Sequence, residues 1–175
     1  MQPYIDEDDS NLLDIGCANG WLTSKFHNEG LFCIGVDRAE QMLTMARSGN
    51  EFSDGLGYVR YNLTPESVSR IPSFDVILLL TVYHHWVQAY GNSAASDMLR
   101  HLGENSEKLF FELPEQELHD EVPCPESQPI KEYHLDYLNE VFGSDKAIEF
   151  IGRADYKGEE RRDLLYIISS PRSSE

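Results

Sequence analysis

The nine residues Leu12-Leu13-Asp14-Ile15-Gly16-Cys17-Ala18-Asn19-Gly20 constrain this chain more than any other stretch. A short apolar run stops at a turn of small residues. Trp21 to Glu29 then has the composition of a helix, closed by Gly30 as a C-cap. A strand that enters a glycine turn and leaves as a helix is the opening unit of a parallel α/β sheet. Glycine lets the backbone turn sharply and lets a ligand approach the main chain. The helix start leaves N–H groups unpaired. Such a turn can hold a nucleotide-like ligand. Asp14, a carboxylate inside an apolar strand, requires a polar partner.

Strands and helices continue to alternate. Leu31 to Val36 reads as a second strand ending at Asp37, and Ala39 to Arg47 as a helix with Met42, Leu43 and Ala46 on one face. Tyr58 to Tyr61 is a third strand. Phe74 to Leu80 is the most apolar strand and belongs at the sheet centre, buried on both faces. Ser96 to Leu102 reads as helix, Leu109 to Leu113 as strand, Ile130 to Phe142 as helix. Ala147 to Ile151 and Leu164 to Ser169 read as a closing pair of strands. Between them, Pro114 to Pro129 is rich in proline and glutamate and reads as an active-site loop or lid. Residues 1–175 are expected to form one domain, with 1–10 as a tail in which Asp6-Glu7-Asp8-Asp9 is solvated.

The glycine turn resembles the first motif of class I S-adenosylmethionine-dependent methyltransferases, Asp/Glu-x-Gly-x-Gly-x-Gly. Asp14, Gly16 and Gly20 match it, and Ala18 stands where the middle glycine would be. Gly35-Val36-Asp37 resembles the second motif, whose acidic residue binds the cofactor ribose. Ser73 to Leu78 resembles the start of the fourth strand, and Val82-Tyr83-His84-His85-Trp86 the segment after it. The resemblance runs from Asn11 to Leu113. It implies a Rossmann-like three-layer α/β sandwich with a mostly parallel seven-stranded sheet, order 3-2-1-4-5-7-6, the last strand antiparallel. It also implies an S-adenosylmethionine site formed by Asp14, Gly16, Cys17, Ala18, Gly20, Asp37, Arg38, Asn62, Leu63 and Leu80. Here Asp37 would hold the ribose and Asn62 the adenine edge. The turn spacing departs from Gly-x-Gly-x-x-Gly, which disfavours a nicotinamide dinucleotide.

Methyl transfer asks the protein to align a nucleophile and, where it carries a proton, to remove it. His84 and His85 are the candidate general bases; Glu112 and His119 stand near the same strand ends. Structural hydrogen bonding is the plainer reading of both histidines. These residues have no metal-ligand spacing, so no metal is expected. Trp21, Tyr83 and Trp86 read as core or pocket wall.

With 31 acidic and 14 basic residues the chain carries −17. That charge repels phosphate backbones, so a small-molecule acceptor is favoured over nucleic acid. Arg153, Lys157, Arg161 and Arg162 are a candidate basic patch against this trend. Cys17, Cys33 and Cys124 lack CxxC spacing, and Met1 is followed by no apolar leader, which suits a cytoplasmic protein. No run is long enough to span a bilayer. About ten residues precede the first strand, where family members carry helices covering the cofactor. A second reading is therefore a cofactor-binding partner or regulatory subunit with little activity alone, working with another protein or a second copy of itself.

Overall fold

A computed structural model describes residues 1–50, 53–114, 129–155 and 162–170. Seven strands form one sheet: β1 (Asn11–Ile15), β2 (Phe32–Asp37), β3 (Leu56–Arg60), β4 (Phe74–Leu79), β5 (Ser106–Leu113), β6 (Ala147–Asp155) and β7 (Arg162–Ser169). Their order is β3-β2-β1-β4-β5-β7-β6. β1 to β5 run parallel, and β7 is antiparallel to both β5 and β6. Five α-helices accompany them: α1 (Trp21–Asn28), α2 (Glu40–Gly49), α3 (Tyr83–Tyr90), α4 (Asn92–Glu104) and α5 (Ile130–Phe142). This is the Rossmann-like arrangement expected from the resemblance.

The period of two along each strand divides the core between the sheet's faces. Leu13, Ile15, Ile77, Leu79, Leu109 and Phe111 pack on one face with Tyr83, Met98, Leu99, Tyr137 and Phe142 from α3, α4 and α5. Leu12, Val76, Leu78 and Phe110 pack on the other with Phe26 of α1. β4 is apolar from Val76 to Leu79, where it is covered on both sides, as a central parallel strand must be. Asp14 shares the face of Leu12 and so points toward α1, where the buried Thr23 meets it.

Several element boundaries depart from expectation. The segment after β4 is the helix α3, which the sequence pattern does not announce. The helix expected over Ser96 to Leu102 extends to Asn92–Glu104. The third strand is Leu56–Arg60, reaching two residues further back. β6 continues past Ile151 to Asp155 through a register shift between Phe150 and Gly152, a bulge that lets a glycine sit inside a strand.

Asp6, Glu7 and Asp8 of the acidic run are exposed, as expected of a solvated segment, but the run is also tied to the sheet. The Lys108 ammonium on β5 holds Asp6 at 2.7 Å and Asp9 at 2.6 Å, and the Asp9 side chain is only 2% exposed. Next to it, the Asp75 carboxylate accepts hydrogen bonds from the Ser10 and Asn11 amides and from both side chains, at 2.7–3.1 Å. These bonds hold the Asp75 carboxyl below its usual range. The residues from 115 to 128, which include His119, Cys124 and most of the expected lid, lie outside the described residues, as do Lys157 and Arg161.

Candidate active site

Two cavities open at the carboxyl edge of the sheet, and both are lined by Gly16 and Thr81. Gly16 follows β1 and Thr81 follows β4. These neighbouring strands feed connections to opposite halves of the sheet, the switch point where open α/β sheets bind ligands. The first cavity, about 250 Å³, is lined by Asp37, Arg38, Tyr61, Asn62, Leu63, His85 and Trp86 among others. The second, about 390 Å³, is lined by Asp14, Cys17, Ala18, Trp21, Leu80 and Glu112 among others.

The turn between β1 and α1 is built from main-chain bonds. The Gly16 and Cys17 amides both donate to the Val36 carbonyl, at 2.8 and 3.1 Å, and the Gly20 amide closes onto the Cys17 carbonyl at 2.8 Å. Gly16 (φ 77°), Ala18 (φ 48°) and Gly20 (φ 73°) are all left-handed. At Gly16 a β-carbon would lie 2.3 Å from Val82 Cγ2, so only glycine lets the loops after β1 and β4 meet. Thr81 is also left-handed (φ 55°), an uncommon state for a β-branched residue, and it sits on the wall shared by both cavities.

Carboxylates frame the turn. Asp37 Oδ2 accepts the Ala18 amide at 3.0 Å, and Oδ1 accepts the Ala39 amide at 2.8 Å. Each oxygen keeps a second acceptor position. The Asp14 carboxylate accepts the Thr23 hydroxyl at 2.6 Å. Burial raises the Asp14 carboxyl to about 6 against the opposing Thr23 bond, with the Asp37 charge adding to the rise. Burial, with the nearby Asp14 and Asp37 charges, pushes the Cys17 thiol up to about 12, so it stays protonated and unreactive at neutral pH.

Nine of the twelve residues singled out from the sequence line these cavities beyond Gly16 itself or share its role: Asp14, Cys17, Ala18 and Leu80 in the second, Asp37, Arg38, Asn62, Leu63 and His85 in the first. Gly20 lines neither. A β-carbon there would meet the Tyr58 ring at 2.5 Å, and the Tyr58 hydroxyl donates to the Gly20 carbonyl at 3.1 Å. Glycine at 20 therefore serves the packing of Tyr58. His84 also lines neither cavity; its ring lies against that of His85, tilted by 46° with centroids 4.0 Å apart. Tyr83 is core, bonded through its hydroxyl to Tyr137, which in turn meets Ser96 at 2.7 Å. Trp86 is pocket wall, and Trp21 is 65% exposed at the rim of the second cavity. Sequence reasoning missed Tyr61 and Tyr90, which chain folding alone brings to the first cavity. Among the described residues no group of three or more His, Cys, Asp or Glu is placed to hold a metal ion.

Fold, switch-point cleft and acid-framed glycine turn together define a nucleoside-binding Rossmann-like domain. Residues 13–107 match the family model described as a methyltransferase domain, and the chain belongs to that family, the class I S-adenosylmethionine-dependent methyltransferases. Among curated relatives, the O-antigen chain terminator bifunctional methyltransferase/kinase WbdD of Escherichia coli is 26% identical over 106 residues, 59% of this chain and 15% of that protein. The ubiquinone biosynthesis O-methyltransferase of Hahella chejuensis is 29% identical over 75 residues, 42% of this chain and 32% of that protein. The matched segments thus span less than a third of either relative's length. A crystal structure of WbdD superposes with a TM-score of 0.70 at 20% identity, covering 91% of this chain and 35% of that one. Magnesium protoporphyrin IX methyltransferase from Synechocystis PCC 6803, solved with bound S-adenosylmethionine, gives 0.61 at 17% identity, covering 91% and 69%.

Proposed function

We propose that the chain binds S-adenosylmethionine across the paired cavities and transfers its methyl group to a small-molecule acceptor. The observation that carries this reading is the meeting of the two cavities at Gly16 and Thr81, with Asp37 on one side and Asp14 on the other. The first cavity suits an adenosine: a carboxylate for ribose hydroxyls, the Asn62 amide for the adenine edge, and Leu63 and Trp86 as apolar walls. The second suits the methionyl end, where the bare main chain of Gly16 to Ala18 allows close approach and acidic residues face a cation. The cofactor supplies an already activated methyl group; the protein's part is to orient and to handle a proton.

His85 is the residue we assign to that proton, because it lines the first cavity and the tilted His84 ring packs against it. The net charge of −17 supports a small acceptor over nucleic acid. Two buried free thiols, Cys17 and Cys33, support a reducing cytoplasmic setting. Among the described residues no helix is long and apolar enough to cross a membrane.

Calorimetry with S-adenosylmethionine and S-adenosylhomocysteine tests the cofactor site. A methyl-transfer screen with labelled cofactor against metabolite pools and RNA tests the acceptor class. Absence of binding heat for both nucleosides would remove the enzyme assignment, and label entering RNA alone would overturn the small-molecule reading.

A further inference from the structure

A broad concavity of about 960 Å³ adjoins the first cavity, sharing Arg38, Tyr61 and Asn62 with it. It lies where β2 and β3 end and where a 3-10 turn, Val68–Arg70, passes. Arg38, Arg60 and Arg70 line it together with the hydroxyl residues Thr64 and Ser67, and no acidic residue is in its wall. This is unexpected in a chain of 31 acidic and 14 basic residues. Three cations elsewhere are held by carboxylates: Arg47 pairs with Glu40, Arg100 with Asp97, and Lys108 with two aspartates. Among the described residues none of the three concavity arginines is in an ion pair. Glu66 stands at its edge, where its carboxylate accepts the hydroxyl of the lining residue Thr64 at 2.7 Å, and the three arginines outnumber that one negative charge. Arg60 is steadied by its Nε donating to the Arg38 carbonyl at 3.3 Å, which leaves its terminal nitrogens for a ligand.

Three guanidinium groups on one concave wall repel each other, and a shared anion offsets that repulsion. Guanidinium forks match phosphate oxygens two at a time, which a lone lysine cannot do. The cofactor proposed for the adjoining cavity carries no phosphate, so that ligand does not account for the cluster. We propose that this concavity binds a compact phosphate-bearing ligand through Arg38, Arg60 and Arg70. Compactness follows from the remaining surface, whose negative charge repels an extended polyanion such as a nucleic acid.

Calorimetry with inorganic pyrophosphate on the whole chain tests the site. Pyrophosphate should bind, and affinity should fall as salt rises from about 50 to 200 mM. Arg60→Gln with Arg70→Gln should weaken it at least about tenfold, the loss of charge-assisted bonds. Arg38 is left intact because it also lines the first cavity. The double variant should melt within about 2 °C of wild type, which confirms that it folds. S-adenosylhomocysteine binding, measured separately, tests the cofactor reading and leaves this one untouched. No heat with pyrophosphate, or equal affinity in the folded double variant, would overturn the proposal. So would an RNA oligonucleotide that binds much more tightly than pyrophosphate through the same arginines, since the site would then serve nucleic acid.

Discussion

Ala18 and Asp37 are joined by a hydrogen bond, the Ala18 amide donating to Asp37 Oδ2 at 3.0 Å. Through Oδ1 the same carboxylate accepts the Ala39 amide at 2.8 Å. One side chain therefore fixes the glycine turn after β1 and the entry to α2, while it faces the first cavity. Replacing Asp37 by Ala should reduce S-adenosylhomocysteine affinity at least tenfold, equivalent to losing charge-assisted hydrogen bonds of about 1.5–3 kcal/mol. Calorimetry on the folded variant checks this, and unchanged affinity would count against the ribose assignment.

Ala18 holds a left-handed conformation (φ 48°) at an exposed position, so its methyl group adds strain and no packing. Ala18→Gly should therefore stabilise the protein by roughly 0.5–1 kcal/mol, the usual relief where a side chain occupies that region. A thermal melt higher by a few degrees is the expected reading. A lower melting temperature would mean that chain entropy outweighs the strain.

Asp14 imposes a pH dependence of the opposite sign from an ordinary paired carboxylate. Its folded carboxyl titrates at about 6, above the 3.8 of the free side chain. The folded protein thus holds an extra proton between these values, and stability falls as pH rises through that window. Asp75, whose carboxyl is lowered by the bonds from Ser10 and Asn11, acts the other way: its stabilisation is present above the free value and is lost on acidification. Asp14→Asn keeps an acceptor for Thr23 and should stabilise the protein above pH 6 by on the order of 1–3 kcal/mol, with no gain below about pH 4. Melting curves across pH decide it; a uniform shift would show that burial of the charge is not the cause.

Much of this was legible because local and tertiary preferences agree. Ile130–Phe142 begins and ends where the sequence predicts, since Pro129 precedes it and Gly143 stops it. Phe74–Leu79 is readable because burial on both faces from Val76 to Leu79 makes that run continuously apolar. α3 is hidden because Tyr83, His84, His85, Trp86 and Val87 are weak helix formers, and burial of Tyr83, Trp86 and Val87 against the sheet decides the outcome. In the site, the glycine turn and Asp37 are contiguous signals. The left-handed Thr81 and the arrival of Tyr61 and Tyr90 depend on where separate loops end, which no local pattern encodes.

The two histidines should separate kinetically. His85 lines the cavity and His84 does not, so His85→Ala should lower kcat by about a hundredfold or more if it takes a proton. His84→Ala should cost much less, through loss of the tilted ring contact at 4.0 Å. Turnover measured for both variants, once an acceptor is found, gives the answer; equal losses would assign both rings a structural part.

Tyr83→Phe provides a control away from the cleft. It removes a buried hydroxyl bonded to Tyr137 and close to Ser96. The fold should lose about 0.5–1.5 kcal/mol, the net worth of such a bond, with no change in nucleoside binding. A change in affinity would mean that the α3–α4–α5 packing reaches the cavity.

The position of β7 between β5 and β6 has a consequence for synthesis. A growing polypeptide emerging from the ribosome can pair its first five strands in turn, but β6 has no neighbour in the sheet until the strand made after it arrives. Until Ser169 has been translated, the outer edge of β5 and the ring of Phe110 lack their final cover. Completion of the sheet therefore waits for its last strand, and the half-built intermediate presents an open strand to any chaperone or aggregating neighbour.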